Sequence, residues 1–248
     1  MSLKVSEQFY SLQGEGRTVG VPAIFLRLQG CNLTCGGNNT IKTKELDSGA
    51  TWRCDTIETW VKGSSFSFHD LVSYWENNDW ISFLKTGAHL VITGGEPLLQ
   101  QDKICLFLDY FYDLFKFYPV VEIETNGTLM PNDDLCKWIS FFNVSPKLAS
   151  SGMVFSDRFK EAVLRKFDTL ESSIFKFVVS SEKEVVDIQE EYLNSKIISS
   201  NKIYLMPAAS NRLELNTIES KVITLCKKYC FNYSTRLHIQ IWDNKKGV

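Results

Sequence analysis

The chain has 248 residues, 44% hydrophobic and 23% charged, with a formal net charge of −2, which is an ordinary globular composition with room for a substantial core. Lys and Arg are dispersed, so there is neither a basic nucleic-acid-binding tract nor an acidic tail. The opening MSLKVSEQFYSLQGEG has no apolar signal core and no later run reaches the roughly 18 apolar residues of a membrane span. A cytoplasmic protein is expected, whose seven cysteines are not a disulfide framework.

In chain order, strand-like apolar runs begin at Ala23 (AIFLRLQ), His89 (HLVITGG), Val120 (VVEIET), Phe141 (FFNVS), Ile174 (IFKFVVS), Lys202 (KIYLMP) and Arg236 (RLHIQIW). Helical patterns lie between most of them. One starts at Ser67 with Leu71, Tyr74 and Trp75, and Ile104, Leu108, Phe111 and Phe115 form a stripe. Ser181 with Glu184 and Asn216 with Glu219 read as capping boxes. Apolar strands alternating with amphipathic helices predict a parallel sheet covered by helices, doubly wound or curled as a barrel, in one domain over residues 1–248. Such folds bind ligands at the C-terminal strand ends, where GCNLTC, TGGEP, ETNGT and SPK all fall. Residues 36–53 are too polar and glycine-rich for a core element and read as an inserted loop that leaves the site and returns.

Cys31 and Cys35 follow a strand, and Cys54 stands at the far end of that loop. Three thiolates can hold three irons of a [4Fe–4S] cluster and leave the fourth open for S-adenosylmethionine. The C-x3-C spacing alone also suits buried thiols or part of a zinc site. Cys226 and Cys230 share that spacing but fall in an amphipathic helical pattern, and like Cys105 and Cys136 they read as structural. The glycines of TGGEP allow close backbone approach to a ligand, and Glu96 could accept hydrogen bonds from an amino group.

FYSLQGEGRTVGVPAIFLRLQGCNLTC, then CDT, TGGEP, ETNGT and SPK, from Phe9 to Lys147, resemble the 7-carboxy-7-deazaguanine synthases of the radical S-adenosylmethionine superfamily. YLMPA and RLHIQIWDNKKGV are similar to that family's C-terminal strand and tail. SLQGEG discriminates best. Without it, an activase acting on a partner protein would fit the remaining motifs, and the cysteines alone would suit a non-catalytic Fe–S or zinc-binding module. The family's usual C-x3-C-x2-C becomes here a spacing with 18 residues between Cys35 and Cys54.

The resemblance implies an α/β fold with an incomplete (β/α) barrel of the radical SAM type. It implies conversion of 6-carboxy-5,6,7,8-tetrahydropterin to 7-carboxy-7-deazaguanine with loss of ammonia, on a route to deazapurines such as queuosine. Its cofactors would be a [4Fe–4S] cluster, S-adenosylmethionine and Mg²⁺. Its partners would be the pterin, an electron donor such as flavodoxin or ferredoxin, and a second copy in a homodimer, with no direct nucleic-acid or membrane partner. By position, Leu12, Gln13 and Gly14 would line the pterin with Glu15 beside them as a catalytic residue. Arg27, also catalytic, would face the pterin carboxylate, to which its planar fork is suited, and Thr93 would touch the substrate. Arg53, Asp55, Gly95, Glu96, Thr125, Asn126, Ser145, Pro146 and Lys147 would surround S-adenosylmethionine, and Thr56 would ligate Mg²⁺. In the tail, His238 and Val248 would lie near the substrate, with Trp242 where the family's tail histidine falls.

Overall fold

The apolar run PAIFLRL is buried along most of its length, as expected of a strand covered on both faces. It lies near the middle of a nine-stranded sheet. The computed structural model describes residues 1–47, 49–245 and 247. Its strands are β1 (Ser2–Leu12), β2 (Pro22–Leu28), β3 (Ser64–Ser67), β4 (His89–Gly94), β5 (Val121–Thr125), β6 (Phe141–Val144), β7 (Ser173–Val179), β8 (Ile203–Pro207) and β9 (Asn232–Tyr233). Their order is β3-β1-β2-β4-β5-β6-β7-β8-β9. From β2 onward every pairing is parallel, while β1 pairs antiparallel with both β2 and β3. The sheet does not close on itself, as an incomplete (β/α) barrel requires.

One face of the sheet carries the core. Ile24, Leu26, Leu28, Leu90, Ile92, Ile123, Phe142, Phe175 and Phe177 pack there against Trp75, Phe107, Phe111, Phe167 and Tyr192 from the covering helices. Each such side chain stabilises the fold by about 1.5–3 kcal/mol. The inner face holds a small apolar group, Ala23, Phe25 and Val91 with Phe9. Thr93, Glu122, Asn143 and Lys176 are also buried. Burying such groups costs stability unless each is paired, and each of them has a hydrogen-bond partner.

The Ser67 cap is observed, exchanging hydrogen bonds with Asp70 at the start of the helix Phe68–Asn77. The Ile104 stripe lies on Gln101–Phe115 and Ser181 opens Glu182–Ile188. Three expectations need correction. Asn216 is inside a helix, Arg212–Tyr229, which Asn211 caps by accepting from the Glu214 N–H at 3.0 Å. Cys230 lies just past that helix, in the left-handed conformation and exposed, rather than on the face of Cys226. RLHIQIW is not a strand: Leu237–Trp242 is a short helix against Arg212–Tyr229, and its first N–H is satisfied by the Gly14 carbonyl at 2.9 Å.

β1 contains a β-bulge. Val5 pairs with Leu28 but Glu7 with Arg27, so Ser6 is the extra residue. A one-residue slip exchanges the faces of a strand. Leu3 and Val5 therefore join the helix-side core, while Phe9 stacks on Phe25 on the inner face.

Candidate active site

The loops after β2, β4, β5 and β6 meet at one end of the sheet. Gly95 is forced to be glycine, because a Cβ there would lie 2.3 Å from the Gly30 carbonyl oxygen and 2.6 Å from Cys31 Cβ. Glu96 N–H then donates to Gly30 O at 2.9 Å. The Glu96 carboxylate is fully buried and accepts from Thr125 Oγ1 (2.8 Å), Asn126 N (2.7 Å) and Leu98 N (3.0 Å). Burial pushes its carboxyl upward against those bonds. Glu96 thus ties TGGEP to ETNGT.

Asn126 continues the connection, donating to Asn32 Oδ1 at 2.9 Å and accepting from both Thr128 N and Thr128 Oγ1. Ser145 N donates to Thr125 O at 2.7 Å and Lys147 Nζ to Ser145 Oγ at 3.2 Å, with Pro146 buried between them. Arg158 and the Tyr192 hydroxyl both donate to the Lys147 carbonyl, and buried Arg158 makes a bidentate pair with Glu191 at 2.6 and 2.7 Å. Gly95, Thr125, Asn126, Ser145, Pro146 and Lys147 are therefore brought together beside Cys31.

Cys31, Cys35 and Cys54 lie within electrostatic reach of one another, and Lys147 within reach of Cys31 and Cys35. Burial pushes the Cys31 thiol up to about 11 and the Cys35 thiol up to about 12. N–H groups already point at two of the sulfurs: Leu33 N at Cys31 Sγ (3.5 Å) and Trp60 Nε1 at Cys54 Sγ (3.4 Å). Thr56 Oγ1 is 3.4 Å from Cys54 Sγ. Among the described residues no three His, Cys, Asp or Glu side chains close around a single ion position. A cubane instead places each thiolate on its own iron, and three soft thiols with N–H donors fit that group.

The insertion returns to its starting point. Cys54 N–H donates to Cys35 O at 3.1 Å, the i+3 to i bond that a β-turn of C-x2-C spacing would make. The intervening residues are not a free outward loop, however. Gly36 N and Thr51 N donate to Ser151 O and Ser150 O at 2.9 Å, and Ala50 bridges Ser151, so the insertion docks on the segment after SPK. Arg53 turns onto the insertion too, binding Thr40 Oγ1 at 2.7 Å and Glu58 at 2.6 Å. Replacing residues 36–53 by two residues should preserve iron binding, since closing 18 residues rather than two costs only about 2 kcal/mol. Loss of the docking contacts should raise KM for S-adenosylmethionine about threefold, on the order of 0.7 kcal/mol. Iron analysis of a folded but iron-free variant would refute this.

The inner face beneath the cysteines is a network of paired charges. Lys176 on β7 donates to Glu15 Oε2, and Arg236 Nε to Glu15 Oε1 at 3.2 Å. Burial raises the Glu15 carboxyl, but Lys176 and then Arg236 outweigh it and hold the group well below the usual carboxylate range. Arg236 Nη2 also donates to Asp55 Oδ2 at 3.1 Å, so one guanidinium joins QGEG to CDT. His238 packs on Gly14, where a Cβ would meet its Nδ1 at 2.4 Å, and its Nε2 is 3.9 Å from Glu15. Burial lowers the His238 pKa against the pull of Glu15.

Gln13 donates to Glu122 (3.5 Å) and Glu124 (3.4 Å) and accepts from Glu15 N (3.2 Å). Its backbone pairs with Val21 and Gly20. The Gln13 side chain, expected to line the pterin, is engaged by these bonds. Glu122 also receives Thr18 (2.8 Å) and Asn143 (3.0 Å), with His89 Nδ1 at 2.5 Å, and Thr93 Oγ1 donates to Glu124 at 2.7 Å. Leu12 ends β1 opposite Pro22, and Arg27 pairs with Glu7 at 2.7 Å. Val248 lies outside the described residues. Sequence reasoning missed Glu122, Glu124, Lys176 and Arg236. For the first three the signal was a charge within an apolar strand, two in VVEIET and one in IFKFVVS; Arg236 lies outside the strands, at the start of a helix.

No family model matches this sequence. Similar proteins include the 7-carboxy-7-deazaguanine synthases of Clostridium acetobutylicum, 30% identical over 254 residues and covering 100% of both chains, and of Aquifex aeolicus, 31% identical over 92% of this chain and 88% of the relative. That of Pyrobaculum aerophilum is 29% identical over 99% of this chain and 97% of its own. In fold, the crystal structure of QueE from Escherichia coli matches with a TM-score of 0.63 over 96% of this chain and 95% of that one, at 24% identity. From these full-length similarities, the chain belongs to the 7-carboxy-7-deazaguanine synthase family.

Proposed function

We propose that this chain converts 6-carboxy-5,6,7,8-tetrahydropterin to 7-carboxy-7-deazaguanine with loss of ammonia, as a radical S-adenosylmethionine enzyme. The observation that carries this reading is the shared guanidinium of Arg236. It joins Glu15 of SLQGEG to Asp55 beside Cys54, which supports a substrate pocket set against the cofactor loops.

In this reading Cys31, Cys35 and Cys54 hold the [4Fe–4S] cluster. Gly95, Thr125, Asn126, Ser145, Pro146 and Lys147 cradle S-adenosylmethionine, with Asp55 at its margin and Glu96 shaping the Asn126 turn. When bound, cluster and S-adenosylmethionine together supply the one-electron chemistry that abstracts a substrate hydrogen. The remaining work falls to side chains. Glu124, with Thr93 donating to it, offers a carboxylate to the N–H edge of the pterin ring. Arg27 orients the pterin carboxylate with its planar fork. Glu15, held ionised by Lys176 and Arg236, is an acceptor beside the ring, with Leu12, Gly14 and His238 around it. Thr56 supplies one oxygen to Mg²⁺, which keeps waters and takes others from its substrate.

The same reading carries a homodimer, a flavodoxin- or ferredoxin-type reductant and a cytoplasmic location. No helix among the described residues is long and apolar enough to cross a membrane. Anaerobic protein reconstituted with iron, sulfide and reductant, and given S-adenosylmethionine, Mg²⁺ and the tetrahydropterin, should yield, by mass spectrometry, a product one ammonia lighter than the tetrahydropterin. S-adenosylmethionine cleavage with the pterin unconsumed would overturn the assignment.

A further inference from the structure

The β-bulge at Ser6 has a visible purpose. Without the extra residue, Glu7 would share the face of Leu3 and Val5, in the helix-side core. With it, Glu7 lies directly opposite Arg27 on the inner face, and Arg27 Nε donates to Glu7 Oε1 at 2.7 Å. The displaced Ser6 donates to the Lys62 carbonyl at 2.7 Å, which holds the bulge in place. Bulges beside active sites commonly re-aim a side chain, and directly opposed residues are the closest partners across a strand pair.

A guanidinium can meet a carboxylate side-on, through Nε and one terminal nitrogen, or end-on through both terminal nitrogens. A partner on Nε closes the first mode. It also fixes the rotation of the planar group and leaves the end-on edge as the docking face. The Arg27 side chain is only 15% exposed and that of Glu7 30%, so the pair is partly withdrawn from water and holds its geometry better than a surface pair would.

We propose that Glu7 is a positioning residue that orients Arg27 for end-on capture of the substrate carboxylate, and thereby sets specificity for the carboxylated pterin. This rests on the reading that Arg27 receives that carboxylate. Holoenzyme should show KM for 6-carboxytetrahydropterin raised about tenfold by Glu7→Ala, with kcat changed far less. Glu7→Gln, which keeps an acceptor oxygen, should recover most of the loss. Competitive inhibition by a tetrahydropterin lacking the 6-carboxylate should change less than about twofold, because that ligand does not use Arg27. A thermal melt of each variant separates these effects from unfolding.

If wild-type protein leaves the carboxypterin unconverted, the functional reading fails. If wild type converts it but KM in Glu7→Ala is unchanged or lower, the functional reading stands and Glu7 is a bystander or a competitor of the substrate. Equal weakening of both pterins would likewise overturn the proposal, since the effect would then not pass through the carboxylate.

Discussion

Reconstituted Cys31→Ala, Cys35→Ala and Cys54→Ala proteins are each expected to lack the visible absorption of an iron–sulfur cluster and to cleave no S-adenosylmethionine. Each variant leaves two thiolates for three irons. Neighbouring groups do not compensate: the other described cysteines, Cys105, Cys136, Cys226 and Cys230, lie on or at the ends of covering helices. Loss of activity should be complete, at least about 10⁴-fold, or more than 5 kcal/mol in the barrier. Cys226→Ala and Cys230→Ala should keep the absorption, iron content and activity. Retention of the cluster by Cys54→Ala would show that the loop closed by the Cys35–Cys54 hydrogen bond is not the ligand loop.

The second large effect is expected at Lys176. Its ammonium is buried inside the sheet against Glu15, and breaking one side of such a pair typically costs about 3–5 kcal/mol. Lys176→Met should therefore destabilise the fold by that order in urea unfolding and lower kcat/KM by about 100-fold. The sign with pH follows from the opposing influences on Glu15. Burial favours its neutral form, and Lys176 is the largest influence holding it ionised. Without Lys176 its pKa rises, so the acidic limb of kcat/KM moves to higher pH. Lys176→Arg should move it back. Adding Glu15→Gln to Lys176→Met should recover stability and no activity, which separates the chemical role from the structural one. An acidic limb unmoved in Lys176→Met would remove Glu15 from the reaction.

Much of the architecture was legible in the sequence. Strands buried on both faces are continuous apolar runs, and the segments that follow β2, β4, β5 and β6 carry the motifs. β1 was not legible because its pattern changes face at Ser6, where SLKVSEQFYSL passes from core-facing Val5 to inner-facing Glu7. A period-2 reading cannot follow a strand through a bulge. RLHIQIW failed for the opposite reason. Leu237, Ile239 and Ile241 alternate as in a strand, yet docking on Arg212–Tyr229 and the Gly14 carbonyl imposes a helix, and Ile241 is left exposed. The helix cap was ambiguous locally, since Asn211–Glu214 and Asn216–Glu219 have the same spacing and only the earlier pair lies at the helix start. In the candidate site, Gly95, Thr125, Asn126, Ser145 and Lys147, each in a motif of the sequence, lie together near Cys31. The paired charges did not announce themselves, because their meaning depends on which distant strand faces them. Lys176 and Glu15 are 161 positions apart.

The contact between Arg236 and Glu15 spans 221 positions, and two backbone N–H bonds join the same regions: Leu237 to Gly14 O and Gly16 to Ser234 Oγ. During synthesis, when chains emerge from the N-terminus onward, the QGEG loop must wait for nearly all of the sheet before its guanidinium arrives. Until then Glu15 lacks one of its two cationic partners and Asp55 lacks the link to it. Folds rich in contacts this distant in sequence fold slowly. Closure of the Glu15 network therefore waits for residue 236, long after all three cysteines have been made.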